Sequence, residues 1–146
     1  EDGVVRFVPR PDRPAPGTPI SAPALQALLG LAGPGGYAVL VGDVTSLAAP
    51  LAQATPGVHF AAVDPVAGID ESPALSLIEA DRLPFKRASL RGVVLGSGVG
   101  TDPGWVADGL RAVLPGLRVV GAGGAPSVDG LEVLAAADGW WVGRKK

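Results

Sequence analysis

Apolar and polar positions follow two rhythms along this chain. Near-unbroken apolar runs at Tyr37-Ala38-Val39-Leu40-Val41, Val58 to Val63, Arg91 to Leu95 and Leu117 to Val120 are bounded by Gly, Pro or Asp. Runs of this length and character predict strands covered on both faces. Leu75 to Glu79 is a weaker fifth run. Between them lie helical spacings. Leucines at 25, 28, 29 and 31 share a face, Ser21 supplies an N-cap, Pro23 fits the first turn, and Gly33-Pro34-Gly35-Gly36 is the predicted stop. Thr45 or Ser46 caps a second helix running to about Ala54, with Pro50 tolerable in its first turn. Asp102 caps a third, opened by Pro103, reaching about Leu114 and ended by Pro115-Gly116. Ser127 is read as the cap of a fourth, running through Ala137 before a last strand at Trp140 to Arg144. Alternating strands and helices predict a three-layer α/β domain with a mostly parallel central sheet.

The first residues differ. Val4 to Val8 reads as a short strand, and Pro9, Pro11, Pro14 and Pro16 then form a stiff, extended connector. The expected division is an arm and proline-rich connector over 1–19, then a domain over 20–146.

Composition narrows the function classes. The chain has 146 residues, with 12 Lys plus Arg against 14 Asp plus Glu, a formal net charge of −2. That balance argues against a nucleic-acid clamp and a polybasic membrane binder. With 47% hydrophobic and 18% charged residues it is a folding chain, and no apolar run reaches the roughly 18 residues of a spanning helix. Glu1-Asp2-Gly3 lacks the basic patch and apolar stretch of a signal peptide, and the absence of cysteine fits the expectation of a cytoplasmic protein. The absence of cysteine excludes disulfides and thiolate metal sites, and a single histidine excludes multi-histidine ones. The Ala, Gly, Pro, Val and Arg usage fits a GC-rich, bacterial genome.

In an open parallel sheet, ligands bind beyond the carboxyl ends of the strands, where the strand order reverses. Four loops there carry the candidate chemistry: Gly42-Asp43-Val44-Thr45-Ser46, Asp64-Pro65, Ala80 to Phe85, and Gly96-Ser97-Gly98-Val99-Gly100. Asp64 either accepts from the hydroxyls of a ribose or is a turn residue before Pro65. Asp81 either accepts from a purine amine, with Leu83 or Phe85 beside the ring, or is a loop aspartate over a core Leu83 and Phe85. Gly96 to Thr101 has threonine where a dinucleotide loop has its last glycine, and Gly96-Ser97-Gly98 is not a nucleophile elbow. His59 begins its strand at the opposite rim and reads as a surface or partly packed residue. Asp64, Asp70, Glu71, Glu79 and Asp81 read as a solvated acidic edge, with no metal assigned. Trp140 and Trp141 should point to opposite faces of one strand, one ring into the core and one outward. The outward ring would suit a homodimer surface or lie under the arm.

Four stretches in order resemble class I S-adenosylmethionine-dependent methyltransferases: Tyr37 to Ser46, Phe60 to Pro65, Glu79 to Phe85, and Leu110 to Val120 with its Leu114-Pro115-Gly116 end. Leu131 to Val142 is similar to the family's next helix and strand. The likeness spans roughly residues 20–144. It implies a Rossmann-like methyltransferase fold and S-adenosylmethionine as cofactor. It also implies Asp64 on the ribose hydroxyls, Asp81 and Leu83 at the adenine, Gly42 and Asp43 beside the methionine end, and Gly96 and Ser97 along the methyl. No catalytic residue emerges.

The chain departs from the family in two places. Val44 and Ser46 stand where further glycines are expected, and Asp43 is out of register for the family's acid at this loop. The sheet also has one candidate strand where the family's terminal hairpin has two, so an incomplete hairpin is expected, with the arm at Val4 to Val8 filling the gap. Two functions follow. One is methyl transfer from S-adenosylmethionine to a small acceptor, driven mainly by proximity. The other is a catalytically inactive scaffold or interaction module.

Overall fold

A computed structural model describes residues 20–31, 35–80 and 82–146. The chain begins with helix α1 (Ala22–Leu29). Ser21 Oγ accepts from the Ala24 N–H, and Gly30, in the left-handed region, closes the helix, earlier than the predicted stop at Gly33. Strand β1 (Tyr37–Val41) follows, then a 3-10 helix (Gly42–Leu47) running into α2 (Ala48–Ala54). Strands β2 (His59–Val63), β3 (Leu75–Ile78) and β4 (Leu90–Leu95) lead to α3 (Pro103–Ala112). The chain ends in β5 (Val113–Ala122), β6 (Leu131–Ala137) and β7 (Trp140–Lys145).

The seven strands lie in the order β3-β2-β1-β4-β5-β7-β6. The pairs from β3 through β5 are parallel, while β7 runs antiparallel to both β5 and β6. The order reverses between β1 and β4, which places the crevice of an open sheet at their carboxyl ends. The two rhythms of the sequence thus become a doubly covered sheet. Ala38 and Leu40 of β1 face α1 and α2, packing with Leu25, Leu29, Leu51 and Phe60. Val39 and Val41 face the other way, joining Val63, Leu95, Val106 and Leu110 under α3. None of the described helices is long and apolar enough to cross a membrane.

The terminal hairpin corrects the sequence expectation. Leu131 to Ala137 is a strand, not a helix, and it pairs with β7, so the hairpin is complete. Its place in the sheet is the one assigned to the arm. Val4 to Val8 itself lies outside the described residues. The reason lies in the turn. Asp138 and Gly139 both adopt positive φ (56° and 80°) between the opposed Ala137 and Trp140, the two-residue Asp-Gly connection that favours a hairpin. The tryptophans are corrected too. Both rings are buried, Trp140 toward the α1 side and Trp141 toward the α3 side. The faces alternate as expected, but neither ring looks outward.

Candidate functional site

The carboxyl ends of β1 and β4 bring Gly42, Asp43, Gly96 and Ser97 together. The Gly96 N–H donates to the Val41 carbonyl at 2.9 Å, locking one loop to the other. The Asp43 carboxylate crosses the gap, and its Oδ1 accepts from the Ser97 N–H at 2.9 Å. Gly96 is glycine because a side chain there would collide with that Asp43 oxygen and with the Val41 carbonyl. Gly100 is glycine because a β-carbon would meet the Ala122 backbone nitrogen at 2.5 Å. The Gly96–Gly100 turn is further held by the Trp141 indole, whose Nε1 donates to the Gly100 carbonyl at 2.9 Å. The glycines of this loop therefore admit close protein backbone and an aspartate.

The loop after β1 is equally closed upon itself. Gly42, at φ 83°, opens the 3-10 turn. Val44 is buried against the α1–α2 core. Thr45 is fully buried, and its hydroxyl donates to the Gly42 carbonyl at 2.7 Å while accepting from the Val66 N–H at 2.9 Å. Ser46 Oγ donates to the Asp43 carbonyl. Thr45 is a structural residue whose role the sequence did not reveal, since its partner Val66 lies in the next loop and only the fold brings it there.

One strand over, Asp64 ends β2 with φ 50°. Its N–H donates to the Ile78 carbonyl at 2.8 Å, and its Oδ1 accepts from the Ala80 N–H at 3.1 Å. Asp64 thus reaches the chain leading into Asp81, which lies outside the described residues. Leu83 sits in the core under α3 with Phe85 packed against it. Its N–H donates to the buried Asp108 carboxylate at 2.7 Å. Arg111 ion-pairs with that carboxylate at 2.8 Å and donates to the carbonyls of Leu83 and Phe85. Asp108 and Arg111, three apart on α3, clamp the 83–85 loop. Their i, i+3 spacing was the available signal. His59 lies at the far rim, within 2.8 Å of Ser76 Oγ and beside the Tyr37 ring. Glu71, from the acidic edge, accepts from the Leu77 N–H. Among the described residues no group of three or more His, Cys, Asp or Glu is placed to hold a metal.

Fitted against S-adenosylmethionine, the two ends of this rim differ. At the nucleoside end, Asp64 gives one acceptor position to Ala80, and an ionised carboxylate has about four. It therefore retains capacity for ribose hydroxyls. At the end that the resemblance assigns to methionine, Val44 packs into the α1–α2 core, Thr45 is buried, and the Asp43 carboxylate spends one acceptor position on the Ser97 N–H, as Asp64 does on Ala80.

No family model and no curated protein matches the sequence. Solved structures do. A Methanococcus maripaludis protein named as an S-adenosyl-L-methionine-dependent methyltransferase superimposes with a TM-score of 0.62 at 11% identity, over 86% of this chain and 83% of that one. The geranyl diphosphate C-methyltransferase of Streptomyces coelicolor A3(2), solved with Mg2+, geranyl diphosphate and S-adenosyl-L-homocysteine, gives 0.59 at 18% identity over 68% of this chain. An Anabaena variabilis protein named as a methyltransferase from an antibiotic biosynthesis pathway gives 0.57 at 18% over 69% of this chain. The match spans 43% of each of the last two. The chain has a class I methyltransferase-like fold.

Proposed function

We propose that this chain is a non-catalytic domain of class I methyltransferase-like fold, a scaffold or interaction module, and that it does not take up S-adenosylmethionine. The observation that carries this reading is the hydrogen bond from the Ser97 N–H to Asp43, which ties together the two loops that flank the crevice. The buried Thr45 bridge to Val66 supports it, because a polar group so satisfied is costly to uncouple, about 1–3 kcal/mol. Methyl transfer is the second reading, and the remaining acceptor capacity of Asp64 favours it. Titration calorimetry with S-adenosylmethionine and S-adenosylhomocysteine separates the two. The expected result is no heat at millimolar ligand, with binding gained when Asp43→Ala, which removes the bond to Ser97, is added to the Val44→Gly, Ser46→Gly double variant. Tight binding by the unaltered chain, lost in Asp64→Ala, would establish the enzyme instead.

A further inference from the structure

The outer edge of the sheet at β6 is built unlike the rest of the molecule. β6 closes the strand order and pairs only with β7 among the described residues. Helices α1 and α3 pack on β4 and β5, and the chain between β5 and β6 (residues 123–130) contains no helix. From Val133 to Ala137 every residue is exposed, with Val133 at 44% and Leu134 at 39%. An edge strand presents unpaired backbone groups, and chains ordinarily guard such edges with lysine, proline or inward charge. Val133-Leu134-Ala135-Ala136-Ala137 has none of these. A shift of register between Val133 and Ala135, an irregularity of the bulge kind, is the one guarding device it carries.

Charge admits a second copy of the chain as the occupant. Glu132 is neutralised by Arg144 at 3.0 Å, so the first charge met beyond it along the strand is Asp138, in the turn. A neutral edge does not repel its own copy, and a two-fold pairing of one strand with itself always closes. The three alanines allow close approach. Ala135 and Ala137, opposite Val142 and Trp140, line an apolar groove of about 550 Å3 whose other wall is Ala24, Ala27 and Leu28 of α1. That groove lies beside the edge, where bulky side chains of an adjoining strand would enter. We propose that β6 is the seam of a homodimer, in which two copies pair their edges antiparallel about a two-fold axis and join their sheets.

The full chain is examined by sedimentation across micromolar to millimolar concentration, together with a Val133→Lys, Leu134→Lys variant and a variant lacking residues 1–19. Both lysines replace exposed side chains, so the circular dichroism of the parent should persist, while the melting temperature falls only by what the lost dimer contributed. The proposal expects a species of twice the 14.5 kDa chain mass that the lysines convert to monomer. It also expects amide exchange at Val133–Ala137 to slow as concentration rises. A parent chain that stays monomeric throughout overturns it. A dimer unaffected by the lysines overturns it, and so does a dimer seen only after residues 1–19 are removed, which would make that segment the occupant of the edge. The seam is independent of whether the crevice binds a cofactor.

Discussion

At the scale of single residues, the molecule is held by polar side chains that reach from one loop to the next. Thr45 is the clearest. Replacing it with valine keeps the shape and leaves the Val66 N–H without its acceptor, so Thr45→Val should lower unfolding stability by about 1–3 kcal/mol in urea denaturation. Lys145 is a second case. Its ammonium donates to the Val113 carbonyl at 2.7 Å. Desolvation by burial, with Arg87 and Arg111 adding repulsion, holds it below the ordinary lysine value of 10.5. The folded state therefore releases this proton more readily than the unfolded chain does. The resulting penalty is full below the lowered value and is relieved as pH rises toward 10.5, so this group's contribution to stability improves over that window. A side-chain NMR titration should show its midpoint below 10.5. Asp64 shows the limit of residue-level reading. The sequence left it between ribose ligand and turn residue, and its positive φ and bond to Ala80 give it the turn role without removing its capacity as an acceptor.

At the scale of elements, the buried strands and the helices capped by Ser21 and Asp102 were legible; the terminal hairpin was not, nor was the start of α2, where Thr45 and Ser46 lie in a 3-10 turn and Leu47 stands at the cap without a side-chain bond. The apolar runs at β1, β2 and β4 have one reading, because a strand covered on both faces has no polar side to disguise it. Asp102 and Pro103 mark α3 as plainly, and the carboxylate accepts from the Gly104 N–H at 2.8 Å. Leu131 to Ala137 is different. Leu, Glu and Ala favour helix by intrinsic propensity, and the segment lacks strand alternation. Pairing with Trp140, Trp141 and Val142 overrides that preference, and the Asp138-Gly139 turn fixes the pairing. Gly139→Val should therefore cost the hairpin about 1 kcal/mol or more, since a β-branched residue resists its φ of 80°. The check is a lowered denaturation midpoint with a lost Ala137–Trp140 cross-strand contact in NMR.

At the scale of the whole molecule, the sheet order sets a crevice between β1 and β4, and the loops there are hydrogen-bonded to each other. Glycines placed after β4 admit Asp43 and the backbone of β5, and the proposed non-catalytic reading takes this close packing as leaving no room for the cofactor. The calorimetric titration tests that reading, and sedimentation tests the seam at the opposite edge. The amino-acid sequence by itself determined the alternation of buried strands and helices, and hence a parallel sheet of this class, because both depend on local periodicity and turn chemistry. The tertiary structure decided that Leu131–Ala137 is a strand, that Thr45 bonds Val66, and that Asp43 turns inward to Ser97. The last two are contacts between segments distant in the chain, whose free energy exists only once the sheet has brought them side by side, and the first is a local hairpin whose pairing overrides helix propensity.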